Sequence, residues 1–218
     1  GPPFCKYSYD EQNMALRNAS PSFDHWLGTD KMGRDIFVRI LFGARISLAV
    51  GCLAAVINLI VGTIYGGIAG YVGGKVDMIM MRVVDIIYSV PSMLYIVLIM
   101  LIFGASVVSI MLGISITCWI DMARIVRQQV KSLKEQEFTM AAFVLGASSS
   151  RILLKHLLIN TMGQIIVTVT LMVPQAIFTE AWLSFLGVGI SAPMASWGTL
   201  AQDARELIMT YPCRPFIR

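Results

Sequence analysis

From Ile46 to Gly74 the chain carries no charged residue. A run of that length can cross the hydrocarbon core of a bilayer, which takes about 20 residues of helix. In lipid a spanning segment must satisfy its own backbone hydrogen bonds, so a single run of this kind reads as a helix. The first span is placed at 46–71. A second charge-free run extends from Ile86 to Ile120, too long for one crossing, and Gly104-Ala105-Ser106 interrupts it. It is read as a helical hairpin, with span two at 78–103 and span three at 107–127. Pro91 is expected to kink span two, since proline removes a backbone donor and clashes with the preceding turn. The last run, Leu157–Thr179, continues past Glu180 to Leu186 and gives span four at 163–186, with Pro174 inside it. Composition agrees: 56% of residues are hydrophobic, 14% are charged and mean hydropathy is +0.72. Soluble domains carry about 25% charged residues. The expected fold is an all-α polytopic membrane protein with about four visible spans.

Residues 1–45 mix prolines, aromatics and charges of both signs, and read as an extramembrane segment with a short helix near Ile36–Phe42. The most basic stretch, 124–156, begins in the end of span three: Arg124, Arg127, Lys131, Lys134, Arg151 and Lys155. Basic loops stay in the cytoplasm. That places 1–45 and 187–218 outside, with Pro193, Trp197 and Pro212 marking turns in the tail. Lys6, Arg17, Lys31, Arg34, Arg39 and Arg45 weaken the asymmetry. Arg82 and Asp85 are three apart, as are Asp121 and Arg124, so each pair can meet on one helix face. Gly62, Gly66, Gly70 and Gly74 recur every four residues, which lets another backbone approach closely.

Other classes find little support. Cys5, Cys52, Cys118 and Cys213 fit no zinc spacing, and no metal site is expected. Cys52 and Cys118 sit in apolar runs as small hydrophobes, and Cys5 and Cys213 could share a compartment. His25 and His156 fall on opposite sides of the membrane. H-E-x-x-H, G-x-S-x-G and phosphate-cradling loops do not occur, so no catalysis is assigned to this chain. Basic residues do not alternate with exposed aromatics, which argues against nucleic acid. Asp85 and Asp121 stand toward the polar-flanked ends of spans two and three; Glu180, near the outer end of span four, is given a pore-lining or packing role, and a proton relay in an ion-gradient transporter is the rival reading. The sequence does not start with Met and shows no signal peptide, so a fragment or processed product is expected.

Between spans three and four, Ser132-Leu133-Lys134-Glu135 fits a capping box. A helix can run from there through Glu137, Phe138, Ala141, Ala142 and Leu145, and Gly146 can end it in the left-handed conformation. Ser148–Ser150 offers a new cap for a second short helix through Ile152, Leu153, His156 and Leu157. Ala141 and Ala142 give the first helix a thin side. Such a helix can enter a groove on a partner or lie on the headgroups, and spacing alone does not choose.

Three motifs carry a resemblance. Glu137-Phe138-Thr139-Met140-Ala141-Ala142, then Gly146-Ala147, Ile152 and His156, resembles the EAA loop of ABC importer permeases; Ile159-Asn160 stands where that family usually has Pro-Asn. His25-Trp26-Leu27-Gly28-Thr29-Asp30, then Gly33-Arg34-Asp35, Arg39, Gly43, Arg45, Ser47 and Leu48, resembles the segment before the core in the oligopeptide, dipeptide and nickel branch. Leu183-Ser184-Phe185-Leu186-Gly187-Val188-Gly189, with Ser196-Trp197-Gly198, is the third.

The resemblance implies a type-1 ABC transmembrane domain of six spans, of which the first and last are missing here and the end after Pro212 no longer matches. It implies an extracytoplasmic segment at 1–45, a permease core at 46–186 with its EAA loop at about 131–160, and an extracytoplasmic tail at 187–218. It further implies import of oligopeptides or dipeptides, or alternatively nickel or another small solute, through a bacterial inner membrane. The expected partners are a second homologous permease, two cytoplasmic ATPase subunits and an external solute-binding protein. The glycine face at 62–74 would take the second permease. ATP and Mg would sit on the ATPases, with no cofactor on this chain. The coupling residues carried over are Glu137, Phe138, Ala141, Ala142, Gly146, Ala147, Ile152, His156 and Asn160; substrate contacts are not assigned.

Overall fold

The computed structural model describes residues 6–186, 189 and 194–210, the side chains of 206–210 excepted. Cys5, Gly187, Val188, Pro193, Pro212 and Cys213 lie outside the described residues. A 3₁₀ turn, Met14–Leu16, precedes α1 (Ile36–Ile57), a π turn (Asn58–Gly62), α2 (Thr63–Val72), α3 (Gly74–Tyr88), α4 (Ser92–Phe103), α5 (Val107–Thr117) and α6 (Ile120–Lys134). Then come α7 (Glu137–Val144), α8 (Ser149–Arg151), a second π turn (Ile152–Leu157), α9 (Leu158–Phe185) and α10 (Trp197–Thr210). No strand occurs among the described residues, where Thr29 and Asp35 form an isolated bridge.

Among the described residues, three helical stretches are long and apolar enough to cross a membrane: Ile36–Val72, Val107–Lys134 and Ser149–Phe185. The pair α3 and α4 makes a fourth if it counts as one span, bent by 71° at its break. Pro91 sits in that break. Its effect is a full interruption rather than a kink, because the residue before a proline is also driven out of helical geometry.

The spans are longer than their charge-free runs, which corrects three local readings. Helix α1 begins at Ile36, so the short helix expected near Ile36–Phe42 is its first turns. Arg39 does not stop it, because its guanidinium is buried on Asp30. Helix α6 continues to Lys134, so Ser132 lies inside it and the expected capping box does not form. Helix α7 starts after Gln136 without a side-chain cap; the Thr139 hydroxyl instead donates to the Leu133 carbonyl at 2.7 Å. The second short helix is likewise not separate. From Ser149 it runs through the π turn into α9.

The chain forms two compact units. One comprises Gly51–Ile99 and Met111–Gln175, and its buried core joins Met122, Val126 and Val130 of α6 to Ala142, Ile152, Leu157 and Ile165. Within it three of the four spaced glycines face α6. A Cβ at Gly62 would lie 2.6 Å from that of Met122, one at Gly70 would lie 2.7 Å from the Arg127 carbonyl, and one at Gly66 would run into the Ala123 backbone. The neighbour expected to be another chain is therefore this chain's own α6. Gly74 departs from the face: it opens α3 at φ +55°, with nothing near its missing side chain.

The other unit comprises Gly1–Val50, Met100–Ile110 and Ala176–Arg218. Here Gly43 closes on Ser196, where a Cβ would meet backbone at 3.0 Å, and Gly198 closes on Ala181 at 2.5 Å. Between these approaches Glu180 is fully buried and accepts hydrogen bonds from Ser47 (3.0 Å) and Ser184 (2.8 Å). Its packing role is thus visible: the Ser47 hydroxyl ties α9 to α1, and Ser184 holds the carboxylate from one turn along α9 itself.

Candidate functional site

The residues before the core form a buried polar knot. Gly28 and Gly33 turn the chain at φ +74° and +73°, a region that favours glycine. Asp30 accepts from the backbone N–H groups of Met32 (2.8 Å) and Arg34 (3.0 Å), from Arg34 Nε (2.7 Å) and from Arg39 Nη1 (2.6 Å). Arg39 also donates to Asp203 of α10 at 3.1 Å, and His25 Nδ1 shares a 2.7 Å hydrogen bond with Asp35. The Thr29 hydroxyl donates to the Leu16 carbonyl and accepts from Ala19 N–H. Burial pushes the Asp30 carboxyl up, but the hydrogen bonds from Arg34 and Met32 outweigh it and hold the group below the usual 3.8. His25, Thr29, Asp30, Arg34, Asp35 and Arg39 are all buried, whereas Arg45 is exposed. These motif residues face one another, which suits a scaffold more than a contact surface.

The loop after α6 has the opposite character. Helix α7 has one side turned inward, where Thr139 and Ala142 are buried and Ala142 joins the α6 core. Its other side is open: Phe138 is 42% exposed, Phe143 71% and Leu145 86%. Glu137 and Ala141 are also exposed, so the two alanines of the thin side face opposite ways. Gly146 ends the helix at φ +80°, and its N–H and that of Ala147 close on the carbonyls of Phe143 and Ala142, both at 3.0 Å. Ser148 then caps α8 by accepting from Arg151 N–H, and Ile152 and Leu157 enter the core. His156 is half-buried and its carbonyl accepts from the Asn160 amide. Of the nine coupling residues, Ala142 and Ile152 serve the interior, while Glu137, Phe138, Ala141 and Asn160 face outward.

An ionic cluster holds the root of this loop. Asp77 of α3 is buried and accepts from Arg127 Nη2 (2.7 Å) and Nε and from Lys131 Nζ (2.7 Å) of α6. Asp85 pairs with Arg124 at 2.8 Å. The recorded partner of Asp85 is thus on α6, not Arg82 on its own helix as spacing suggested. The pairing sets α3 against α6 and carries the loop on a fixed base. Spacing along the sequence does not single out Asp77, because its partners lie some fifty residues away; the one available signal is an acid in the first turn of α3.

Comparison with known proteins fits this geometry. Residues 62–210 match the family described as binding-protein-dependent transport system inner membrane component. The chain is 51% identical over 215 residues to the oligopeptide transport system permease protein OppC of Bacillus subtilis, covering 99% of this chain and 70% of that one. It is 49% identical over 210 residues to the dipeptide transport system permease protein DppC of the same organism, covering 96% of this chain and 66% of that one. With OppC of Escherichia coli K12 it shares 42% identity over 213 residues, covering 97% and 70%. The chain belongs to this family of multi-pass membrane components of binding-protein-dependent transport systems.

Proposed function

We propose that this chain is the permease subunit of an ATP-driven importer of oligopeptides or dipeptides, and that α7 and the turn at Gly146 dock on separate ATPase subunits. The observation that carries the docking role is the two-sided α7: Ala142 and Thr139 anchor it, while Phe138, Phe143 and Leu145 present an uncovered apolar surface beside the Glu137 carboxylate. A small helix rooted on α6 and apolar outward is a shape that a groove on a partner can take. The peptide substrate is carried over from the relatives named for oligopeptide and dipeptide transport.

ATP and Mg belong on the ATPase partners, an external binding protein delivers the solute, and a second permease completes the path. Support for the second permease is that this chain leaves Ser149–Phe185 largely uncovered: 22% of its most apolar window is buried, against 50% in Val107–Lys134. The basic residues around α6 and α8 favour a cytoplasmic loop, with the segment before α1 outside. ATP-driven closure of the ATPases would then move α7, and through the α6–α9 core the spans.

The test uses Glu137→Lys and Gly146→Val in the full-length protein, with membrane insertion, ATPase copurification and uptake of labelled di- and oligopeptides measured together. Insertion at wild-type level with lost copurification and uptake is expected. Wild-type copurification and uptake in both variants would remove the docking role.

A further inference from the structure

Beside the Asp77 cluster, α3 and α6 leave an open cavity of about 470 Å³ lined by Met81, Asp85, Arg124, Arg127, Gln128 and Lys131. Three cations border it against two carboxylates, Asp77 behind and Asp85 at the rim, which leaves one positive charge uncancelled. The carboxylates also fix the cations in place. Arg127 is held through Nε and Nη2, Lys131 through one of its N–H bonds and Arg124 through Nη2. A guanidinium has five N–H donors and an ammonium three, so each cation retains donors after these bonds. The Arg124 guanidinium is further set over the Tyr88 ring, 4.2 Å from its centroid. Gln128 is exposed on the cavity wall.

Two features narrow the ligand. The cations stand in the last turns of the apolar stretch Val107–Lys134, where a membrane helix meets the headgroups. On α3, Met78, Met81, Asp85 and Tyr88 follow one another at spacings of three, four and three, on one helix face. Met78 and Tyr88 are 61% and 58% exposed, so apolar side chains flank the charged cavity on either side along the helix. A positive pocket flanked by exposed apolar side chains suits an amphiphile with an anionic head.

We propose that this cavity binds the phosphate of an anionic phospholipid headgroup, with the lipid's apolar part along the Met78–Tyr88 face. The proposal requires only that the chain spans a membrane and is independent of what it transports. Gln128→Glu is the informative change, since it cancels the surplus charge without touching any ion pair. The protein, purified in mild detergent with the subunits it brings down, is placed in nanodiscs of phosphatidylcholine and phosphatidylglycerol in equal parts. Spin-labelled phosphatidylglycerol then reports the bound fraction, with and without added inorganic phosphate.

Wild-type protein should prefer phosphatidylglycerol over phosphatidylcholine, and Gln128→Glu should weaken that preference about fivefold, the effect of roughly one charge at a membrane surface. Subunit copurification should not change. Equal preference in the two proteins overturns the proposal. So does inorganic phosphate displacing the lipid at equimolar amounts, which would make the site one for soluble phosphate. Loss of a copurifying membrane subunit in Gln128→Glu overturns it in favour of a protein interface.

Discussion

The knot before α1 and the loop after α6 are both dense in motif residues, yet they spend them in opposite directions. In the knot His25, Asp30, Arg34, Asp35 and Arg39 are buried and bonded to one another or to α10. In the loop Glu137, Phe138, Ala141 and Asn160 are exposed, whereas Thr139, Ala142, Ile152 and Leu157 are buried. A charged residue buried with its partner constrains the fold, whereas an exposed one beside bare apolar surface costs the fold little and remains available to another protein. A motif therefore marks constraint, and burial tells whether the constraint is internal.

The sharpest break of this contrast is Arg39→Ala. Removing Arg39 leaves Asp30 to Arg34 alone and takes a donor from Asp203, and should cost about 3 kcal/mol, the low end for a broken buried ion pair. Resistance of the 6–35 segment to limited proteolysis should fall steeply, and wild-type resistance would show that the knot is not a scaffold. Next is Ala142→Leu on the inward side of α7, expected to cost about 1–3 kcal/mol through overpacking. Thermal unfolding in detergent reads it, and an unchanged midpoint would deny Ala142 its place in the α6 core.

Acid should also separate the regions. The folded carboxyl of Asp30 is held below 3.8, so its hydrogen bonds stabilise the knot above that pH. The contribution is lost as pH falls from 3.8 through the lower folded value, because protonation then favours the unfolded chain. Proteolysis of 6–35 should rise in that window, and a flat profile would remove Asp30 from the account.

Ser148→Ala should cost about 0.5 kcal/mol, the low end for a helix cap, since its bond to Arg151 N–H is long at 3.4 Å. The smallest stability effect belongs to Phe143→Ser, within about 0.5 kcal/mol for so exposed a position. The same variant should nevertheless reduce ATPase copurification. Full copurification would sharpen the contrast to Glu137 alone, with the apolar face of α7 idle.

Sequence by itself determined the elements. Charge-free runs located the spans because a charge in hydrocarbon is costly and a spanning backbone must close its own hydrogen bonds. Pro91 and Gly146 marked breaks because their local geometry follows from the residue itself. The motif residues were legible as a set, though not by role. Tertiary structure decided which way residues face and what they meet. The spacing of Gly62, Gly66 and Gly70 announced a close neighbour, but only the packed chain identified it as α6. Asp85 could meet Arg82 by spacing, yet it bonds Arg124, because the rotation of α3 against α6 is written in neither helix alone. Ser132 had the form of a cap and lies in the last turn of α6, which runs on past the Asp77 pairs with Arg127 and Lys131. Local rules depend on a few consecutive residues; cross-helix pairing depends on the register of whole surfaces, which is settled only when they pack.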